Sequence, residues 1–282
     1  MYKIYTHMYP DLDCLCSLYL LEKIHGEIEI EFISIQTDPL PKGDNILVVD
    51  ILGGDIDHHD ESGETSTCQK IYDAHPEIHS PALGVLVDYC HRSDIMKLTK
   101  EETGGNSLKF CIFVTRDTCH DYHLIYQIFK TIANKVYEDP AYLIHFARSH
   151  ILAMYPSVRK YFDNYEKYMA AQKDWIEVCQ IGNLWVAINE SEENLTSFIF
   201  DNYPHVDLII YRNPQKDWAG FVKRSEERKV GVDLERIYNT LKEKEKGWFL
   251  HKSGNLLLCG TPKAPLAKTT LTVQEMVELL KI

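Results

Sequence analysis

Lys3-Ile4-Tyr5-Thr6-His7-Met8-Tyr9-Pro10-Asp11-Leu12-Asp13 runs from an apolar segment through a polar turn into a helix, and its reading decides the fold. Lys3 to Thr6 has the composition of a strand. From Asp11 to His25 the apolar residues Leu12, Leu15, Cys16, Leu18, Tyr19, Leu20 and Ile24 cluster at helical spacing, and Gly26 stands just past the end as a stop. A strand that feeds a helix in this way predicts a βα unit. His7 then lies at the C-terminal end of a strand, where open parallel sheets bind their ligands. Asp11 and Asp13 follow in the turn and the first helical turn, so that two carboxylates and an imidazole converge on one side of the sheet.

The pattern repeats. Ile28 to Ile35 and Ile46 to Ile51 are strands rich in Ile and Val, while Thr65 to Ala74 and Ala82 to Cys90 read as helices. Alternation of this kind predicts a mostly parallel sheet flanked by helices. The strand around Leu47-Val48-Val49 ends in Asp50, and Gly53-Gly54 and Asp57-His58-His59 come next. An acidic residue at a parallel strand end is poorly explained by packing, and two adjacent imidazoles after an aspartate are costly to place unless a metal or phosphate organises them. Carboxylate with imidazole suits dications such as manganese, magnesium or zinc. The set His7, Asp11, Asp13, Asp50, Asp57, His58 and His59 therefore predicts a site for a metal or a phosphate. Gly53-Gly54 lacks the Lys-Ser or Lys-Thr of a phosphate-binding loop and reads as the tight turn that brings Asp50 and Asp57 together.

The chain has 282 residues, 45% hydrophobic and 26% charged, which is enough for two compact domains and an ordinary core. A net charge of -12 argues against binding of long nucleic acid, which needs many Lys and Arg, but allows a short phosphorylated ligand. Bound dications would offset part of that charge. The eight cysteines form no CxxC pair and read as buried free thiols of a reducing cytosol. The N-terminus lacks the basic start and apolar stretch of a signal peptide, and no run approaches the ~20 apolar residues that span a bilayer. The expectation is a soluble, cytoplasmic protein that does not bind membranes.

From about Asp117 to Gln172 helical periodicity dominates, broken at Pro140 and Pro156. Cys119-His120-Asp121-Tyr122-His123 reads as the opening of a long helix capped by Asp117 or Thr118, not as a second metal site. Beyond it come strands at Trp175 to Ile181, Leu184 to Asn189, Val206 to Tyr211 and Trp218 to Val222, with a hairpin turn at Gly182-Asn183. Helices at Leu234 to Lys244 and Val273 to Leu280 complete a smaller α+β unit. The charge-rich run from Lys223 to Lys229 reads as a solvated turn. The fold class is α/β, divided as 1–116, a helical connector at 117–174, and 175–282.

His7-Met8-Tyr9-Pro10-Asp11-Leu12-Asp13-Cys14-Leu15-Cys16-Ser17 resembles the first motif of the DHH phosphoesterase superfamily, and Asp57-His58-His59 resembles the triplet that names it. The superfamily includes RecJ-like exonucleases, oligoribonucleases, cyclic dinucleotide phosphodiesterases and family II pyrophosphatases. The resemblance implies two divalent ions, manganese first, with magnesium or cobalt as alternatives. It implies that His7 and Asp11 hold one ion, that Asp13 and His58 hold the other, and that Asp50 bridges. It also implies that His59 faces the substrate phosphate, with Asp57 beside it as a catalytic residue. Asp88 is the match for the aspartate that completes the second ion, with Asp94 as competitor.

Many members carry a substrate-binding domain of the DHHA1 type, with an arginine in a short strand and a Gly-Gly-Gly-His segment. Arg224 and His251 match these in order and become expected phosphate contacts. Trp248-Phe249-Leu250 replace the glycines, and Trp248 either stacks on a base or is a core aromatic.

The expected function is hydrolysis of short oligonucleotides or nucleotide phosphoesters by metal-activated water. Inorganic pyrophosphatase is the enzymatic alternative, and a metal-dependent nucleotide-binding regulator with little turnover is the alternative of a different kind. A homodimer is compatible with the sequence.

Overall fold

The computed structural model describes residues 1–281 except 60–64, 96, 172–174, 192–194, 214, 225–230 and 262–263. Most of the charge-rich run at 223–229 thus lies outside the described residues. Two compact units are present, Met1–Tyr165 and Glu166–Ile282.

In the first unit β1 (Tyr2–His7) is the middle strand of a three-stranded parallel sheet, between β2 (Ile28–Ile33) and β3 (Ile46–Val48). Ile4 pairs with Ile30 on one side and with Leu47 on the other. The sheet is parallel, as the alternation of strands and helices predicts. β3 stops earlier than expected, because Asp50 turns the chain at φ 56, in the left-handed region.

The helix α1 (Leu12–His25) is buried without interruption from Leu12 to Leu21. A helix that is buried on every side must be wrapped by its neighbours. Here the wrapping comes from the sheet and from α2 (Thr67–Ala74), α3 (Pro81–Asp94) and α5 (Tyr122–Val136). The stretch expected as a connector is helical, but most of it belongs to this unit. Ile125, Phe129, Ile151 and Phe162 share one core with Leu15 and Leu86. Tyr126 Oη and Lys130 Nζ both donate to Glu22 of α1, at 2.6 Å.

Between α3 and α5 lies α4 (Leu108–Cys119), followed after α5 by α6 (Ala147–Met154) and α7 (Arg159–Ala171). Asp117 and Thr118 cap nothing, because α4 continues through them. The break falls at His120, φ 54, and Asp121 caps α5 by accepting from Leu124 N at 3.0 Å.

The second unit is built on a six-stranded sheet in the order β4-β5-β6-β7-β9-β8. These strands are β4 (Ile176–Ile181), β5 (Leu184–Asn189), β6 (Leu208–Asn213), β7 (Trp218–Lys223), β8 (Trp248–Leu250) and β9 (Leu256–Cys259). β4 and β5 form the expected hairpin, with Gly182 at φ 60 in the turn. β5 and β6 are parallel, joined by α8 (Thr196–Asn202), as parallel neighbours require a crossover.

Alternate residues fill both faces. Val186, Leu208, Ile210 and Phe221 pack with α9 (Leu234–Lys242) and α10 (Val273–Glu278), while Ala187, Ile209 and Val222 pack with Ile199 of α8. No helix among the described residues is long and apolar enough to cross a membrane.

Candidate metal centre

The site collects at the C-terminal edge of the parallel sheet. His7 ends β1, Asp50 follows β3, and the intervening turn is tight. Val48 O accepts from Asp55 N at 2.8 Å and from Ile56 N at 3.2 Å, and Asp50 N donates to Ile56 O at 2.9 Å. A Cβ on Gly54 would stand 2.7 Å from Val48 O, so that only glycine lets the chain close here. The turn delivers Asp57, His58 and His59 to the same edge.

Among the described residues three groups of donor atoms, each within 4.8 Å, result: Asp50, Asp57, His58 and His59; His7, Cys14 and Asp50; and Asp13, His58 and Asp94. Asp50 and His58 each belong to two of them. Asp50 Oδ2 lies 3.0 Å from His7 Nε2, and Asp50 Oδ1 lies 3.4 Å from His58 Nδ1. Asp50 is buried and holds a conformation that a non-glycine residue seldom adopts, a strain the surroundings must impose.

Thr67, at the start of α2, organises these donor groups. Its backbone N donates to Asp13 Oδ2 at 2.9 Å, its hydroxyl donates to Asp50 Oδ1 at 3.1 Å, and it accepts from His58 Nδ1 at 2.8 Å. Because that hydroxyl proton goes to Asp50, His58 Nδ1 must carry its own proton, which fixes the tautomer. His58 Nε2 then presents its lone pair on the side of Asp94 Oδ2, 3.4 Å away. His7 is set in the same manner, with Nδ1 donating to Met8 O at 3.0 Å and Nε2 turned to Asp50.

Asp13 accepts two hydrogen bonds from the N-terminus of α2, from Thr67 N and from Cys68 N at 2.8 Å. Burial, and then the charges of Asp50, Asp94 and Asp11, push its carboxyl well above the usual range. Asp11 caps α1 by accepting from Cys14 N at 3.1 Å. It lies within electrostatic reach of Asp13 but outside the three donor groups.

Asp57 and His59 form a separate pair at the rim. Burial works against the Asp57 carboxylate, yet its hydrogen bonds with His59 outweigh this and hold it at about 2. His59 stacks on His58 at 4.3 Å and reaches the surface, while Asp57 Oδ2 is buried with no partner among the described residues.

Asp88 is not part of the centre. Its side chain is 60% exposed and pairs with Arg92 Nε at 2.8 Å, one turn further along α3. Asp94, 14% exposed, faces His58 instead. Six residues separate the two, about 240° around the helix at about 100° per residue, so they occupy different faces.

Arg224 donates to three backbone carbonyls, Val206 O at 2.7 Å, Phe200 O at 3.1 Å and Tyr203 O at 3.0 Å, and covers the Phe200 ring. The guanidinium ties the second unit together. His251 Nδ1 accepts from Ser253 N at 3.2 Å. Trp248 is a core aromatic against Phe221, donating through Nε1 to Glu245 at 3.2 Å, and is not placed to stack on a base.

Lys109, which the sequence did not single out, sits on α4 within electrostatic reach of Asp11 and Asp94. Burial and nearby Arg116 lower its pKa against their pull.

The donor set fits divalent ions. Two imidazole lone pairs, a carboxylate common to two donor groups, a carboxylate oxygen without a partner among the described residues, and crowded like charges are what dications would satisfy. Ligand atoms at about 2.1 Å from one ion and at right angles stand about 3 Å apart, which matches His7 and Asp50.

No family model matches the chain, and no curated protein matches it. Solved structures do, and the likeness is one of fold. The pGpG-specific phosphodiesterase PggH from Vibrio cholerae superposes with a TM-score of 0.64 at 17% identity, over 92% of either chain. A protein of Helicobacter pylori G27 aligns over 100% of this chain at 12% identity, but its TM-score of 0.32 carries no argument.

Proposed function

We propose that the chain is a metal-dependent phosphodiesterase that hydrolyses short oligonucleotides or nucleotide phosphoesters, with pGpG the first substrate to try. The observation that carries this reading is the meeting of three donor groups at Asp50 and His58, on the sheet edge where α/β folds bind ligands. The shared fold with PggH supports it.

In this reading His7 and Asp11 would hold one ion, Asp13, His58 and Asp94 would hold the other, and Asp50 would be shared by both. Asp94 takes the place given to Asp88 by sequence. Manganese leads magnesium and cobalt because imidazole and carboxylate are mixed in the set. Dications held there would supply acidification of a water and charge neutralisation at the phosphate oxygens. The protein's own groups do the rest. Thr67 and Met8 O hold the two imidazoles with Nε2 inward, and α2 holds Asp13.

Hydrolysis joins the water oxygen to phosphorus and breaks the bond to the leaving oxygen, which must gain a proton. His59 is the group at the rim that supplies it, oriented by ionised Asp57. Inorganic pyrophosphatase is less well supported, because Arg224 gives its Nε and Nη2 hydrogens to backbone carbonyls of its own unit and not to a small tetra-anion. The regulatory alternative leaves the full donor set without a purpose.

Turnover of pGpG, short RNA, cyclic dinucleotides, adenosine bisphosphate, pyrophosphate and bis-p-nitrophenyl phosphate with added manganese tests the proposal. Release of nucleotide from pGpG or short RNA is expected. Pyrophosphate cleavage alone, or no turnover on any of them, would sink it.

A further inference from the structure

Beside the metal centre the first unit carries groups that the chemistry above does not use. Lys109 and Arg116 are seven residues apart on α4 and share one face, two turns apart. Lys109 lies within electrostatic reach of Asp11 and Asp94 at one end and of Arg116 at the other. Its ammonium makes no hydrogen bond or ion pair among the described residues, although acidic side chains surround the centre. Arg116 donates through Nε to Asp117 at 2.9 Å and lies over the Phe113 ring, which fixes its plane.

Beyond Arg116 the groups are aromatic. Arg116 is within electrostatic reach of Tyr122, whose ring lies 5.5 Å from that of Tyr9, and Tyr9 in turn lies 5.6 Å from the His120 ring. Tyr9 stands in the turn between His7 and Asp11, and both Tyr9 (φ 59) and His120 (φ 54) adopt the left-handed backbone that side chains of this size seldom take. Two strained residues from separate loops thus meet edge to face. Tyr9 and Tyr122 are half-buried and His120 is exposed; Tyr122 rests on Phe32 and the apolar core, so that the cluster meets the surface through Tyr9 and His120. The order outward from the metal donors is cation, cation, ring cluster.

We infer that this strip is a nucleotide subsite, in which Lys109 and Arg116 bind phosphate oxygens and Tyr9, His120 and Tyr122 stack on the base. The inference rests on the proposed function for its substrate and deepens it, because it places base recognition on the first unit. Phosphate beside guanidinium and ammonium, with a base against rings, is the chemistry of a nucleoside monophosphate. Pyrophosphate would leave the rings without a role.

The test uses the full chain with manganese and two probes, GMP binding by calorimetry and the ratio of kcat/KM for pGpG to that for bis-p-nitrophenyl phosphate. Arg116→Met and Tyr122→Leu are each expected to weaken GMP binding and to lower the ratio by about tenfold, with Tyr122→Phe restoring both. Calorimetry needs no turnover. GMP binding that depends on Arg116 and Tyr122 in a chain that hydrolyses nothing would support the subsite and refute the proposed function. Turnover of pGpG with GMP affinity and the ratio unchanged in both variants would overturn the subsite and leave the function standing. A parent chain that does not bind GMP, or a Phe variant as impaired as the Leu variant, overturns it too.

Discussion

His58 donates from Nδ1 to the Thr67 hydroxyl at 2.8 Å, and through this one contact the N-terminus of α2 decides which imidazole nitrogen faces the metal donors. The relay continues to Asp50, which Thr67 holds at 3.1 Å. Thr67→Val keeps the shape and removes both bonds. The expected result is a loss of manganese affinity of about 10–100-fold with the fold intact, measured by titration calorimetry beside circular dichroism. Unchanged affinity would show that the tautomer is set by something else.

Asp94 and Asp88 separate the observed arrangement from the one expected by sequence. Asp94→Asn is expected to reduce kcat/KM by about 10–100-fold through weaker metal binding. Asp88→Asn breaks only an exposed pair on α3, worth about 0.5 kcal/mol or less, and should leave steady-state kinetics within about twofold. The reverse ranking would restore Asp88 to the centre.

His59 is expected to act on turnover and not on metal. His59→Ala should lower kcat about 10²–10⁴-fold while the number of manganese ions bound stays the same. A drop in bound manganese of the same size would make His59 a ligand, not the acid that serves the leaving oxygen.

Acid stability reports on the second unit. Burial disfavours the Glu245 carboxylate, but hydrogen bonds from Thr269, Thr270 and Trp248 outweigh this and hold it at about 2. The folded value is thus below the unfolded one of about 4.3, so the stabilisation is present above that pH and is lost as pH falls toward 2. Glu245→Gln is expected to cost about 1–2 kcal/mol at pH 7. Melting curves from pH 7 to pH 3 should show the gap between parent and variant narrowing below about pH 4.

Much of this was legible in the chain because the informative residues are local. His7, Asp50 and Asp57-His58-His59 sit at strand ends that apolar runs announce, and the strand pattern implied the parallel sheet. At the site, what the sequence left open concerns partners distant in sequence. Asp88 and Asp94 share one helix, and only its rotation against His58 separates them. Arg224 follows a strand, as a phosphate-binding arginine would, but three carbonyls from the segment 200–206 claim it. Thr67 reads as the first residue of an ordinary helix and Lys109 as a polar position on another. Neither type nor spacing marks them, because their meaning lies in what the fold brings opposite.

Asp50 belongs to two donor groups and is the carboxylate that two ions would share. Manganese titration of the full chain, by calorimetry and by metal analysis after gel filtration, tests this most directly against Asp50→Asn. The parent should bind two manganese ions per chain and hydrolyse pGpG. The variant should bind at most one and lose turnover by about 10²-fold or more. A parent that binds no manganese, or an Asp50→Asn variant that binds two ions as tightly as the parent, would contradict the account.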